Sequence, residues 1–419
     1  MFVAAAHWLL VAIVSSSILL MLLRPRGIAE AYWVCGGAGL LVALRLVPLG
    51  DAGSAVLQGA DVYLFLTGMM LVSELARVFG VFDWMASLAE EHARGSSARL
   101  FTLIYAVGTA VTVCMSNDAT AVVLTPAVFA AVRKARVSPL PYLFACAMIA
   151  NAASFVLPVS NPANLVVFRT HMPSLLEWLR SFAAPSLASI VVTYLVLRWI
   201  FRNELREPVA DAQQKARLTT NGKLVLAGLL LVVAAMLTAS ALNKDLGLPT
   251  CAAALAVTAV VLARTRTSPW RIMRGISWSV LPLVAGLFVL VAAIESLGAL
   301  NLAISALRRA EKLPASTGAL AVGGAVGLAN NIVNNLPLGL IAGSTLKAMH
   351  AHGLIANAVL IGVDLGPNLS VTGSLATILW LVVLRREGLD VSFWKFLRVG
   401  AIAMPLALAF ALGAAVLLR

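Results

Sequence analysis

Apolar runs of roughly twenty residues recur along nearly the whole chain, separated by short polar or basic turns. A helix crosses the hydrocarbon of a bilayer in about 20 residues, so each run predicts one membrane crossing. Ten crossings are expected, over 4–23, 28–48, 54–76, 139–168, 182–201, 223–242, 248–264, 277–297, 354–384 and 392–418. Two further apolar stretches, 99–132 and 315–346, are interrupted at mid-length by polar clusters: Ser116-Asn117-Asp118 in the first and Asn330 to Asn335 in the second. Each reads as a re-entrant hairpin that enters and leaves on the same side.

The basic residues support that choice. With the N-terminus outside and both hairpins re-entrant, 22 of the 31 Lys and Arg residues fall on the cytoplasmic side, among them Arg77, Arg133, Lys134, Arg136, Lys215, Arg385 and Arg386. The outer set includes Arg45, Arg169, Arg180, Arg308, Arg309 and Arg419. A full crossing at 99–132 would put the RKAR string at 133–136 outside, against the positive-inside bias.

A shift of 218 residues superimposes the two halves: FLTG at 65–68 falls on LVAG at 283–286, Gly80 on Gly298, Asp83 on Asn301 and Asn117 on Asn335. Each half, 1–201 and 223–419, then holds five crossings and one hairpin, and five being odd, the copies are oppositely oriented. The expected fold is an all-α polytopic membrane protein of two inverted repeats, each with a broken helix (139–168 and 354–384), joined by a polar cytoplasmic linker at 202–222. Secondary transporters are built on this plan, with the site near the midplane between interrupted helices.

Four polar interruptions stand at membrane depth: MSNDATAVVLTP at 115–126, LPVSNPANLVV at 157–167, ANNIVNNLPLGL at 329–340 and VDLGPNLSVTGS at 363–374. Irregular backbone there must be buried in protein or line a wet cavity, because each unsatisfied amide costs several kcal/mol in lipid. A single break is a common kink; two pairs at corresponding positions point to a site for small polar solutes or ions. Asp118 and Asp364 are the carboxylates placed near mid-membrane, where a charge is costly and by default functional. Structural roles stand beside these, Asp118 as a helix cap and Asp364 as a hydrogen-bond partner of a nearby Asn or Ser. Glu74, three residues before Arg77, reads as half of an interfacial pair. Asp61 and Glu295 lie nearer the outer face, and Arg308, Arg309 and Lys312 form a solvated helix face.

Composition removes other classes. The chain is 61% hydrophobic and 12% charged, with a mean hydropathy of +0.95, whereas a soluble domain carries about 25% charged residues. The net charge of +13 is spread over short loops, unlike the basic stripe that binds nucleic acid. Cys35, Cys114, Cys146 and Cys251 form no CxxC and no Cys/His cluster, so neither a disulfide framework nor a metal site is indicated; a thiophilic metalloid contact at Cys114 is the weaker reading. His350 and His352 make no metal site. No phosphate-binding GxxxxGK[ST] is present, so the chain is expected to be a transporter without cofactor or catalytic residues. The first apolar run lacks a basic leader and reads as a retained span rather than a cleaved signal peptide.

The SNDATAVVLTP string with its following RKAR, ANNIVNNLP, and above all VDLGPNLSVTGSLATILWLVVLRREG at 363–388 resemble the arsenite/antimonite efflux permeases of the ArsB type, in the ion transporter superfamily. That resemblance covers essentially the whole chain. It implies export of arsenite or antimonite as the neutral trihydroxide across the bacterial inner membrane, driven by protons and sometimes assisted by a soluble ArsA-type ATPase, with both termini periplasmic. By motif, Ser116, Asn117 and Asp118 at the first hairpin tip and Asn334 and Asn335 at the second would bind substrate. Ser160, Asn161 and Asn164 would face Asp364, Gly366, Asn368 and Thr372, with Asp118 and Asp364 coupling protons. Sodium-coupled relatives carry SNT at both tips; SND here inserts a carboxylate. A sodium-coupled antiporter or carboxylate carrier is the alternative, and a channel that relies on a separate ATPase is a third reading.

Overall fold

The structure, a computed structural model, describes residues 2–169, 172–209, 217–296, 298 and 300–418. Met1, Lys215, Arg419 and the middle of the 202–222 linker lie outside the described residues.

Among the described residues twenty α-helices run in two sets of ten. The first set is α1 (Phe2–Leu23), α2 (Glu30–Ala43), α3 (Leu49–Leu57), α4 (Ala60–Val78), α5 (Val81–His92), α6 (Ser97–Cys114), α7 (Thr125–Lys134), α8 (Leu140–Ala152), α9 (Pro162–Val167) and α10 (Leu175–Ile200). The second is α11 (Thr220–Ala241), α12 (Gly247–Thr265), α13 (Pro269–Gly275), α14 (Val280–Ser296), α15 (Leu300–Glu311), α16 (Ala315–Val333), α17 (Asn335–Met349), α18 (Leu354–Leu365), α19 (Leu375–Arg386) and α20 (Phe393–Leu417). Local chemistry sets the ends. The Ser174 hydroxyl accepts from Glu177 N at 3.3 Å while the Glu177 carboxylate accepts from Ser174 N at 2.9 Å, a reciprocal cap on α10. Thr219 and Ser392 cap α11 and α20 in the simpler way, and Pro126, Pro141, Pro162 and Pro269 sit in first turns, where no amide is missed.

Each helix of the first set returns in the second near the 218-residue shift, down to the left-handed glycines Gly80 (φ 72°) and Gly298 (φ 71°) that open α5 and lead into α15. Packing is reciprocal as well: α2 lies against α14, α12 against α4, and α10 against α20. At Gly68 on α4 a side chain would strike the Thr250 and Cys251 backbone; at Gly286 on α14, the counterpart of Gly68, it would strike the Val34 side chain.

Six helices, α6, α10, α11, α12, α16 and α20, are long and apolar enough to cross a membrane. Two bent pairs, α3 with α4 at 48° and α13 with α14 at 43°, bring the number among the described residues to as many as eight if each pair is one span, and α1, α2, α8 and α18 are shorter apolar helices. The bends lie inside or beside the segments expected at 54–76 and 277–297 and were not foreseen. The chain turns back after α6 and after α16. The Thr112 and Thr120 hydroxyls are 2.8 Å apart, whereas eight residues of continuous helix span about 12 Å. Val322 of α16 and Leu346 of α17 likewise line one cavity of about 260 Å³. The broken helices form the centre: α8 is buried at every position from Pro141 to Ala152, as a helix apolar all round must be. Outer helices instead expose Trp8, Leu187, Leu230, Leu231 and Phe410, which suits a surface solvated by lipid.

Candidate substrate site

The four interruptions converge, and their polar side chains divide into two groups. One group is spent on backbone freed by the breaks. Asn164 donates to the carbonyls of Ser154, Leu157 and Pro158 at 2.9, 3.3 and 3.3 Å. Ser160 donates to Val113 O at 3.0 Å and accepts from Leu157 N at 3.2 Å, tying the first broken helix to the hairpin tip. Asn368 donates to Met148 O at 2.9 Å and accepts from Asn151 at 3.0 Å, joining the broken helices of the two halves. Thr372 donates to Asn331 O at 2.8 Å, and its own carbonyl accepts from Asn334 at 3.0 Å. Gly366 is packed so tightly on Gly327 and Asn330 that a side chain would overlap them. Buried amides without such partners would each cost roughly 1–3 kcal/mol.

The other group stands at the two hairpin tips and at the buried Asn161–Asp364 contact beside them. At the first tip the Ser116 hydroxyl accepts from Ala119 N at 3.2 Å and the Asn117 side-chain oxygen Oδ1 from Asp118 N at 2.9 Å. Ser116 therefore does the capping, and Asp118 is left on the wall of two adjoining cavities. At the second tip Asn334 takes φ 78°, ψ 152°, a conformation rare for a residue with a side chain and held by its bond to Thr372. Beside it, the buried Asn335 carbonyl oxygen has no hydrogen-bond partner among the described residues. Asn161 accepts from Ala163 N at 3.0 Å and donates to Asp364 Oδ1 at 2.8 Å. Asp364 is fully buried and its Oδ2 has no partner among the described residues.

Asn117, Asp118, Asn161, Asn335 and Ser374 line one narrow pocket of about 10 Å³, about the space one water requires. It adjoins a cavity of about 410 Å³ through shared walls at Leu66, Asp118, Pro162 and Val280. The larger cavity runs past Phe65, Met69 and Ser73 to a mouth bearing Glu74, Arg77, Arg386 and Glu387. Asp118 thus stands where a roomy passage meets a tight polar end. The walls of that end hold amides, a hydroxyl and one carboxylate, with no Lys or Arg. Such a lining can donate to and accept from a small neutral polyol, and it offers no cation to an anionic solute.

Glu74 and Arg77 form the interfacial pair expected from their spacing, bonded at 2.7 and 2.5 Å. Asp61 accepts from Gly247 N at 2.7 Å and so caps α12 from the other half. The four cysteines are free, and no cluster of three His, Cys, Asp or Glu occurs among the described residues. Ser374 and the mouth residues Arg386 and Glu387 were missed from sequence although all three lie within the 363–388 string; Phe65 and Met69 carry no signal, being apolar among apolar neighbours.

Comparisons with known proteins agree with this architecture. The model of the Citrate transporter family, CitMHS, matches residues 10–365. An arsenical pump membrane protein of Escherichia coli is 27% identical, with 97% of this chain and 98% of the relative aligned. A putative arsenical pump membrane protein of Bacillus subtilis is 24% identical over 93% of this chain and 94% of its own. Among solved structures, the YdaH transporter of Alcanivorax borkumensis shares the fold, with a TM-score of 0.55 at 16% identity over 96% of this chain and 97% of that one. The chain is a multi-pass membrane protein that belongs to the Citrate transporter family and is similar along its length to arsenical pump membrane proteins.

Proposed function

We propose that the chain exports trivalent arsenic or antimony from the cytoplasm as the neutral trihydroxide, in exchange for protons. The observation that carries this reading is the Asp118 carboxylate, unspent on capping and placed between the large cavity and a polar end formed by Asn117, Asn161, Asn335 and Ser374. The relatives named as arsenical pumps supply the solute class. In the inner membrane, with both termini periplasmic, the mouth carrying Arg77 and Arg386 opens to the cytoplasm in accord with the positive-inside bias. The two halves are then inverted, units 1–201 and 223–419 about a cytoplasmic linker.

Ionised Asp118 accepts hydrogen bonds from the solute's hydroxyls, while the Asn oxygens and amides hold the remainder. A proton arriving from the other side neutralises the carboxylate and weakens those bonds, so solute and proton exchange on one group. Asp364 is the second carboxylate assigned to coupling, linked to the pocket through Asn161. One net charge per cycle is worth about 2.3 kcal/mol per 100 mV, a gradient of roughly fiftyfold. That drives efflux without an ATPase; a soluble ArsA-type partner would add to it. In an arsenite-sensitive bacterium the wild type should restore growth on arsenite and lower cell-associated arsenic, and Asp118→Asn should do neither. Full resistance conferred by Asp118→Asn would reject the role given to the carboxylate.

A further inference from the structure

On the face away from the large cavity an ion pair bridges the two halves. Arg169, just past α9, lies 3.9 Å from Glu295 at the end of α14. Its guanidinium also donates to Ser344 of the second hairpin at 2.8 Å and stacks over Phe288 at 5.8 Å. Shifted by 218 residues, Glu295 falls on Arg77 and Arg169 falls on Glu387. The counterpart pair thus has its charges exchanged: Arg77 ends α4 and Glu387 follows α19, as Glu295 ends α14 and Arg169 follows α9. Both counterpart residues stand at the mouth of the open cavity, where Arg77 is engaged by Glu74 instead. Glu74 itself maps onto Ala292, so this resting partner exists on one side only.

We infer that Arg169–Glu295 and Arg77–Glu387 are two alternating gates, one closed in each extreme of the transport cycle. This rests on the inverted-repeat reading of the proposed function. Two oppositely oriented copies of one unit exchange conformations when the protein turns its site to the other side. The contact made by Arg169 on the closed face then becomes the contact made by Glu387 on the other. Closing the cavity breaks Arg169–Glu295, releases Arg77 from Glu74 and seats it on Glu387. Because the exchange of charge is made at both positions, each gate still joins one cation to one anion and attraction is kept in both states. All four act on access to Asp118 rather than on the solute, and are positioning residues.

The test uses the full chain in everted vesicles with Ser73→Cys, on the cavity wall, as the reporter and a membrane-impermeant maleimide as the probe; the labelling of the parent without Ser73→Cys is subtracted. Glu295→Gln weakens the gate that is closed while the cavity is open, and should slow labelling. Glu387→Gln weakens the opposite gate and should speed it. Each change should be about two- to fivefold, the population shift that a partly exposed ion pair supports. Arg77→Glu should block arsenite uptake, and adding Glu387→Arg should restore it. A merely structural role would lower the melting temperature of both Gln variants without opposed labelling. Shifts in one direction, or none, would overturn the gates. Labelling needs no arsenite: opposed shifts in a protein that moves no arsenite keep the gates and reject the solute assignment, and arsenite export with unshifted labelling does the reverse.

Discussion

Asn161 of the first half donates its side-chain amide to Asp364 of the second at 2.8 Å, both residues buried at the meeting of the two broken helices. The bond holds a pocket wall from one half of the chain by a carboxylate of the other. Asn161→Ala and Asp364→Ala should therefore each destabilise the protein, and the pair should be non-additive by about 0.5–3 kcal/mol in a double-mutant cycle. Thermal unfolding in detergent measures it. Strict additivity would mean that the contact contributes nothing.

The reciprocal close approaches at Gly68 and Gly286 make a paired forecast. Gly68→Ala meets backbone of α12 and Gly286→Ala meets the Val34 side chain of α2, so each should cost roughly 1–3 kcal/mol as an overpacked contact. Gly36→Ala, with nothing within 4 Å of the added carbon, should be neutral or stabilising by up to about 1 kcal/mol. Equal melting temperatures for all three variants would contradict the packing.

The first hairpin is open to direct chemistry. With Thr112 and Thr120 hydroxyls in contact, Thr112→Cys/Thr120→Cys in a Cys114→Ser background should oxidise readily to an intramolecular disulfide. A straight helix would hold those residues about 12 Å apart, beyond any disulfide. Failure to cross-link would argue for a full crossing at 99–132.

How much of this was legible in the chain follows from what each residue does. Asn, Ser, Gly and Pro inside an apolar run announce broken helices, and all four breaks stand where the polar clusters put them. The same pattern cannot say whether a given amide serves the solute or the freed backbone. Asn161 and Asn335 reach the pocket, while Asn164 and Asn368 are bonded to carbonyls of the breaks, and only the path of the neighbouring chain separates them. Asp118 was singled out for its cost in the membrane. What remained hidden was Ser116 taking over the cap, which frees the carboxylate. The charge exchange between Arg77 with Glu387 and Glu295 with Arg169 was present in the 218-residue shift, but it acquires meaning only when one pair is seen closed and the other open.

Asp118→Asn keeps the size and polarity of the side chain and removes its charge. Arsenite uptake into everted vesicles, followed with and without an imposed pH gradient, is the most direct measurement of whether that carboxylate couples solute to protons. Gradient-dependent uptake in the wild type and its loss in Asp118→Asn is the result predicted here. Uptake by Asp118→Asn that equals the wild type and still follows the gradient would contradict it.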